Sequence, residues 1–491
     1  MSTLKKIASG VGWGTASVVV NTLFQLFFMA VMARLLDPTD FGLIAIANVS
    51  LRFYSYFSQV GIAPALIQKK TLEKGDINAA LSLSLSISSV FFLLAYFASP
   101  ITEVYFETLG LASIMQVLAL NFIIFGFSSI SQALLRRDSR FKVISIIEIV
   151  SYVLGYGVTG LISAYMGLGV WALVAAFMSQ SILTSLLSYL AILYPIRFKH
   201  TKAQRKHLMS FGARYSIIGF IEFLTSNMAP LIIGKFLGAA PAGYFNRALL
   251  LADLPVQQPA NILTKTLFPV MSRVSDQHDK QLISFQLSAL IVGCYACAVS
   301  IGVHNAAYDL ITVMLGNKWL ESIPILEVLA LSVAPNFIAH VAGVTLDTMA
   351  ELRLKLRIQL AVFLLMVMQL LWLREDLTIE VITYVILSTS FIRLFLMCGS
   401  VIHLLKMPLK EVFLMMTSFI SITLITYAYT LQIPILLEMI ENPVMRLLID
   451  IVAGGLGLII SFLFVRYFLR GLHSIEYLQQ QLPIFRKIME A

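Results

Sequence analysis

Apolar stretches of about 20 residues recur along the whole chain, and every second gap between them carries a cluster of lysines and arginines. Of the chain's 35 lysines and arginines, 25 lie in these alternate gaps or near the two ends. Five lie in the intervening gaps and five inside the apolar stretches. Basic loops stay on the cytoplasmic side of a membrane, so the alternation predicts a multi-pass membrane protein with cytoplasmic N- and C-termini.

Composition supports this class. Hydrophobic residues make up 59% of the chain and charged residues 12%, whereas a soluble domain carries about a quarter charged residues. The net charge of +9 lies mainly in loops that would face anionic lipid, so membrane lipids and not nucleic acid are the predicted partners. Cys294 and Cys297 lie one turn apart on an apolar helix, which favours packing, and neither a metal site nor a cofactor is predicted.

The fold class predicted is all-α. Fourteen spans are predicted, at 12–33, 41–67, 79–98, 111–134, 143–166, 170–194, 211–236, 242–270, 282–303, 325–349, 354–373, 377–404, 411–430 and 446–469. The most basic loop follows the sixth span and divides the chain. The expected domains are an N-terminal six-helix lobe (1–200), a C-terminal six-helix lobe (201–408), two additional spans (409–470) and a cytoplasmic tail (471–491).

The two lobes share a short repeated pattern. Arg34-Leu35-Leu36 followed by Phe41-Gly42 aligns with Lys235-Phe236-Leu237 followed by Ala242-Gly243, at an offset of 201 residues. Both copies follow the first span of a lobe. An offset of six spans preserves orientation, so parallel repeats related by an axis along the membrane normal are predicted.

Polar side chains inside spans are energetically costly, and they therefore mark either a wet path or a structural contact. The candidates for lining a water-filled cavity and contacting a ligand there are Asn21, Gln25, Asn48, Arg52, Tyr56, Asn246, Arg247 and Gln257. Glu222 and Asp253 are the candidates for ion coupling. The alternatives are hydrogen bonds between helices for the uncharged residues and buried ion pairs for the charged ones, among which Arg393 is also deep.

No catalytic constellation occurs in the sequence. It contains no G-x-x-x-x-G-K-[ST] phosphate loop, no H-E-x-x-H and no nucleophile elbow. The longest outer loop, near 304–323, has about twenty residues, too few to hold the glycan and catalytic groups of a polymerase or ligase. No catalytic residue and no enzymatic activity are predicted.

Three stretches carry a resemblance to a known family. AGYFNRALLLADLPVQQPANILTKTLFPVMSRV (242–274), ARLLDPTDFGLIAIA (33–47) and GNKWLESIPIL (316–326) resemble the Wzx-type polysaccharide repeat-unit flippases of the MOP superfamily, in the colanic acid and teichuronic acid branch. The resemblance implies a V-shaped fold of two six-helix lobes plus two helices. It also implies transport of undecaprenyl-pyrophosphate-linked oligosaccharide across the bacterial inner membrane.

Lipid flippases of this superfamily hold pyrophosphate with cationic residues on spans 1, 2 and 8, and Arg52 and Arg247 match this pattern on spans 2 and 8. The first span departs from it, because Asn21 and Gln25 are uncharged, which argues against lipid II as the substrate. The expected mechanism is alternating access by a monomer, driven by an ion or by the membrane potential. A polysaccharide polymerase and glycosyltransferases are the expected functional neighbours. The alternative is a MATE-like exporter of organic cations, for which Glu222 and Asp253 supply acidic groups.

Overall fold

The structure is a computed structural model of the chain. It describes residues 20–58, 62, 66–67, 69, 72–194, 216–273, 278–437, 442, 444–449, 452 and 454–455. Within these ranges the chain is almost entirely helical and contains no β-strand. It divides into two compact units with the boundary between Asn246 and Arg247. The expected boundary between lobes, near 200, remains a prediction.

The first unit contains seven described helices and the start of an eighth. These are α1 (Val20–Leu35), α2 (Pro38–Ser58), α3 (Lys74–Phe106), α4 (Leu111–Arg137), α5 (Phe141–Tyr165), α6 (Val170–Ile192) and α7 (Ser216–Ile232). α5 contains a π-helical segment at Val153–Gly160, and a second π-helical segment, Ile233–Leu237, extends α7.

Helix α8 (Ala239–Arg273) crosses from the first unit into the second. The second unit continues with α9 (His278–Asn305), α10 (Ser322–Thr348), α11 (Leu352–Trp372), α12 (Ile379–Leu404) and α13 (Leu409–Leu437). A short helix, Ala307–Met314, lies between α9 and α10. Most of the predicted fourteenth span, 446–469, lies outside the described residues.

Ten helices in the described ranges are long and apolar enough to cross a membrane. They correspond to ten of the predicted spans. Helices α2 and α8 overlap the predicted spans 41–67 and 242–270 but do not meet that criterion over the described residues, and α1 is described over only 16 residues. The all-α fold is confirmed, whereas the count of fourteen remains a prediction.

Polar contacts stabilise the start of α3, at the end of the first unit that carries the basic clusters. Asp76, in the first turn of α3, is 2% exposed and lies 2.5 Å from Lys69 Nζ. Its other carboxylate oxygen accepts a hydrogen bond from the Glu73 backbone N–H at 2.9 Å, which completes a capping box. Below it, side chains of α3 and α4 form an apolar core with Leu66 and Tyr194.

In the second unit, α10 packs between α9 and α12, and α13 packs against α9. These four helices surround a cavity of about 660 Å³ whose lining includes Cys297 and Cys398. Both thiols, like that of Cys294, are free. The walls are almost wholly apolar, so this cavity is unsuited to a sugar or phosphate group.

Candidate functional site

The predicted substrate residues of the first two spans lie on α1 and α2. Asn21 and Gln25 on α1 and Asn48 on α2 are half-buried, while Arg52 on α2 is exposed. Asn48 and Arg52 are four residues apart, so they share one face of their helix. Tyr56 belongs to α2, but its side chain lies outside the described part of the structure.

Arg52 differs from the other described candidates of the first unit because its side chain is exposed. It lies fourteen residues after Pro38, or roughly 21 Å along the helix axis. The next side chain, Phe53, packs against Phe220 of α7 at 6.0 Å between ring centroids. Among the described residues, the Arg52 guanidinium forms no ion pair with a carboxylate. If α2 crosses the membrane as the sequence predicts, a guanidinium at this position requires water or an anion beside it, since exposure to hydrocarbon is costly.

Helix α7 carries the coupling candidate Glu222, which is half-buried. Two other polar residues of this helix are occupied within it. The Thr225 hydroxyl donates to the carbonyl oxygen of Ile221 at 2.8 Å, and the Asn227 amide donates to that of Phe223 at 2.8 Å. These two side chains therefore have a structural role within α7.

On α8 the predicted residues fall on both sides of the unit boundary. Asn246, the last residue of the first unit, is half-buried, as are Arg247 and Asp253 in the second unit. Asn246 and Asp253 are seven residues apart and share a face of the helix. The side chain of Gln257 lies outside the described part of the structure.

A contact that the sequence did not predict lies beside the prolines of α8. Pro259 has no N–H, so the carbonyl of Pro255, four residues earlier, loses its helical donor. The hydroxyl of Tyr295 on α9 donates to that carbonyl oxygen at 2.8 Å. This freed carbonyl is therefore used for helix packing rather than for a ligand.

A second polar contact lies within the second unit. The Arg393 guanidinium of α12 donates to Asn336 Oδ1 of α10 at 3.4 Å. Nearer the end of α10, Asp347 forms an ion pair with Lys355 of α11 at 2.8 Å. These contacts join neighbouring helices, so they fit the structural alternative considered for the deep polar residues. The sequence places both arginines, Arg52 and Arg393, within spans but does not say that Arg393 contacts a neighbouring helix.

The opposite end of the first unit carries an ion pair between segments far apart in sequence. Lys235 Nζ lies 2.7 Å from Glu107 Oε1 and 5.2 Å from the centre of the Tyr105 ring. The hydrogen bond from Lys235, together with its positive charge, lowers the pKa of the Glu107 carboxyl. Glu103, in the last turn of α3, accepts a hydrogen bond from the Ala112 N–H at 2.7 Å, at the start of α4.

The helices and the polar residues on them define a multi-pass membrane protein with the fold of the MOP-superfamily transporters. The structure of the lipid II flippase MurJ in an inward closed conformation is similar with a TM-score of 0.72 and 14% identity, covering 92% of this chain and 98% of that one. An inward-facing MATE-family multidrug transporter of the MOP superfamily is similar with a TM-score of 0.56 and 13% identity, covering 78% and 94%.

The chain belongs to the polysaccharide biosynthesis protein family, whose model matches residues 31–324. The lipopolysaccharide biosynthesis protein WzxC of Escherichia coli is 24% identical over 330 residues, which cover 67% of each chain. The resemblance drawn from residues 33–47, 242–274 and 316–326 is thereby confirmed.

Proposed function

We propose that this protein moves a polyprenyl-pyrophosphate-linked oligosaccharide, a repeat unit of a surface polysaccharide, from the inner to the outer leaflet of the bacterial cytoplasmic membrane. The family match across residues 31–324 carries this proposal. The similarity to WzxC and the fold shared with a lipid-linked precursor flippase support it. The alternative is export of organic cations, which the fold shared with the multidrug transporter would allow. The family match favours polysaccharide precursors.

The chemistry of Arg52 fits the proposed cargo. A planar guanidinium binds phosphate oxygens through two parallel hydrogen bonds, and its charge persists at any physiological pH. An exposed arginine with no carboxylate partner among the described residues favours an anion over an organic cation. In our proposal Arg247 contributes a second guanidinium, while Asn21, Gln25, Asn48 and Asn246 supply uncharged hydrogen-bonding groups for sugar hydroxyls.

The membrane potential favours this direction of transport. With the cell interior negative, each uncompensated negative charge that moves outward gains about 2.3 kcal/mol per 100 mV. If the arginines move with the phosphate, that gain decreases and a coupled ion is needed. Glu222 and Asp253 are the proposed sites for such an ion.

A vesicle assay with a defined polyprenyl-pyrophosphate oligosaccharide tests the proposal. Wild-type protein should make the oligosaccharide accessible to an impermeant glycosidase on the opposite face, and Arg52→Gln should lower this rate about 100-fold, as expected for loss of a charge-assisted phosphate contact. Arg136→Gln is the matched control, because Arg136 is an exposed arginine at the end of α4. An active Arg52→Gln protein would refute the role of Arg52, and an inactive wild type would refute the cargo.

A further inference from the structure

The first turns of α2 and α8 touch through their backbones in the first unit. A methyl group at Gly42 would lie 1.7 Å from the carbonyl oxygen of Ala239, and one at Gly243 would lie 2.0 Å from that of Pro38. These distances are far below any van der Waals contact, so only glycine is compatible with either position. At this point the two helix ends meet with no side chain between them.

The contact is reciprocal. Ala239 follows Pro38 by 201 residues, and Gly243 follows Gly42 by the same number, which is the offset of the repeated sequence pattern. Each helix thus places its glycine against the carbonyl group of the other helix's first residue. Such an exchange of equivalent contacts is the arrangement expected at a two-fold axis, here between two repeats of one chain.

Two further contacts lie at the same end. The ion pair between Lys235 and Glu107 joins the end of α7 to the end of α3, and the Glu107 side chain is 79% exposed. Beneath it, a methyl group at Gly234 would lie 2.7 Å from Ile46 Cγ1, so α7 and α2 also approach closely. The gaps after the first, third and seventh spans therefore meet at one end, as the alternation of basic loops requires.

We propose that the Gly42–Gly243 contact is the outer gate of the transporter, closed in this structure and opened by separation of the first turns of α2 and α8. The inference rests on the proposed function, since a bulky head group must leave through an opening on this side. A contact between bare backbones has no interlocking side chains to disengage, so it can part and reform without rotamer changes. The exposed ion pair nearby adds little resistance, because solvent screens it.

Substituted cysteines test whether this contact opens. Glu107→Cys and Lys235→Cys together, in a background with the three native cysteines replaced, should be joined by a short reducible cross-linker. Cross-linking should abolish transport of the polyprenyl-pyrophosphate oligosaccharide, and reduction should restore it. Unchanged transport by the cross-linked protein would identify the contact as a static joint and overturn the proposal.

A second measurement needs no cargo. Ile46 is 1% exposed and lies one turn behind Gly42, so Ile46→Cys reports access from outside to an impermeant thiol reagent. Adding Gly42→Ala or Gly243→Ala should raise its labelling rate about tenfold or more, because the methyl group cannot be accommodated in the closed contact. Gly302→Ala and Gly399→Ala, helical glycines with open space around them, are the controls that should leave labelling unchanged.

If the alanine variants fold poorly, Lys235→Gln serves instead, and it should raise labelling by a smaller factor. Labelling that is equal in all variants and controls would overturn the gate. Labelling that responds as expected while wild-type vesicles fail to move the oligosaccharide would support the gate and refute the cargo, so the two proposals fail separately.

Discussion

The hydrogen bond from Tyr295 to Pro255 predicts a specific coupling between two helices of the second unit. Tyr295→Phe removes the only donor described for a carbonyl that Pro259 has deprived of its helical partner. A lost neutral hydrogen bond costs about 0.5–1.5 kcal/mol, and leaving the carbonyl unsatisfied raises the cost toward 1–3 kcal/mol. Within a membrane, measured pairwise terms average about 0.6 kcal/mol. We therefore expect Tyr295→Phe to destabilise the protein by about 1–2 kcal/mol.

A double-mutant cycle with Pro259→Ala isolates this term. Alanine at position 259 restores an N–H that can donate to the Pro255 carbonyl within α8, so Tyr295→Phe should have almost no effect in that background. The assay is thermal or denaturant unfolding in lipid nanodiscs. Tyr384→Phe is the matched control, because the Tyr384 side chain is 58% exposed. An equal destabilisation by Tyr295→Phe with and without Pro259 would refute the reasoning.

Further predictions concern the first unit. Arg137→Ala should lower its stability by roughly 2–3 kcal/mol, because the guanidinium donates to the carbonyls of residues 66, 67 and 69 at 2.7, 3.2 and 2.5 Å; unfolding like wild type would contradict this. Gly155→Ala should cost about 1–3 kcal/mol, since its methyl group would lie 2.8 Å from the backbone nitrogen of Gln180, and an unchanged melting temperature would argue against so tight a contact. The lowered pKa of Glu107 means that its ion pair with Lys235 stabilises the closed end above the ordinary glutamate pKa and is lost as pH falls through the lowered value. Thiol labelling itself slows as pH falls, because the thiolate is the reactive form, so labelling is compared with that of Glu107→Gln at the same pH. The ratio of the two should rise by a small factor, and only below about pH 4.5.

Hydropathy and charge were sufficient to predict most helices, because the cost of exposing a backbone in lipid forces every apolar stretch of sufficient length to be helical. The ends were less predictable. Helix α3 was expected at 79–98 but runs from Lys74 to Phe106, since the capping box and polar contacts extend it beyond the apolar stretch. The π-helical segment Val153–Gly160 was not predicted, because it depends on neighbouring helices and not on local periodicity.

For the candidate site, too, one part could be predicted from the sequence and another could not. A charged residue within a predicted span has a high free energy in hydrocarbon unless a partner or water lies beside it. Arg52 and Arg393 could therefore both be recognised from the sequence as deep charges. Whether the partner is another helix or a ligand depends on tertiary placement. Asn336 contacts Arg393, whereas α2 leaves Arg52 exposed. The freed carbonyl of Pro255 could be foreseen, but its partner Tyr295 lies 40 residues away and has no local signature.

Helices α2 and α8 each connect a glycine of the proposed gate to an arginine of the proposed anion site, and this has a thermodynamic consequence. Arg247 lies four residues beyond Gly243 on one uninterrupted helix, about 6 Å along its axis. Arg52 lies ten residues beyond Gly42 on another. If the first turn of α2 or α8 moves and the helix stays straight, the arginine on that helix moves with it. If the Gly42–Gly243 contact is the proposed gate, then by linkage an anion that prefers one placement of Arg52 must bias that contact by the same free energy. Cargo affinity and exit would then depend on a single equilibrium.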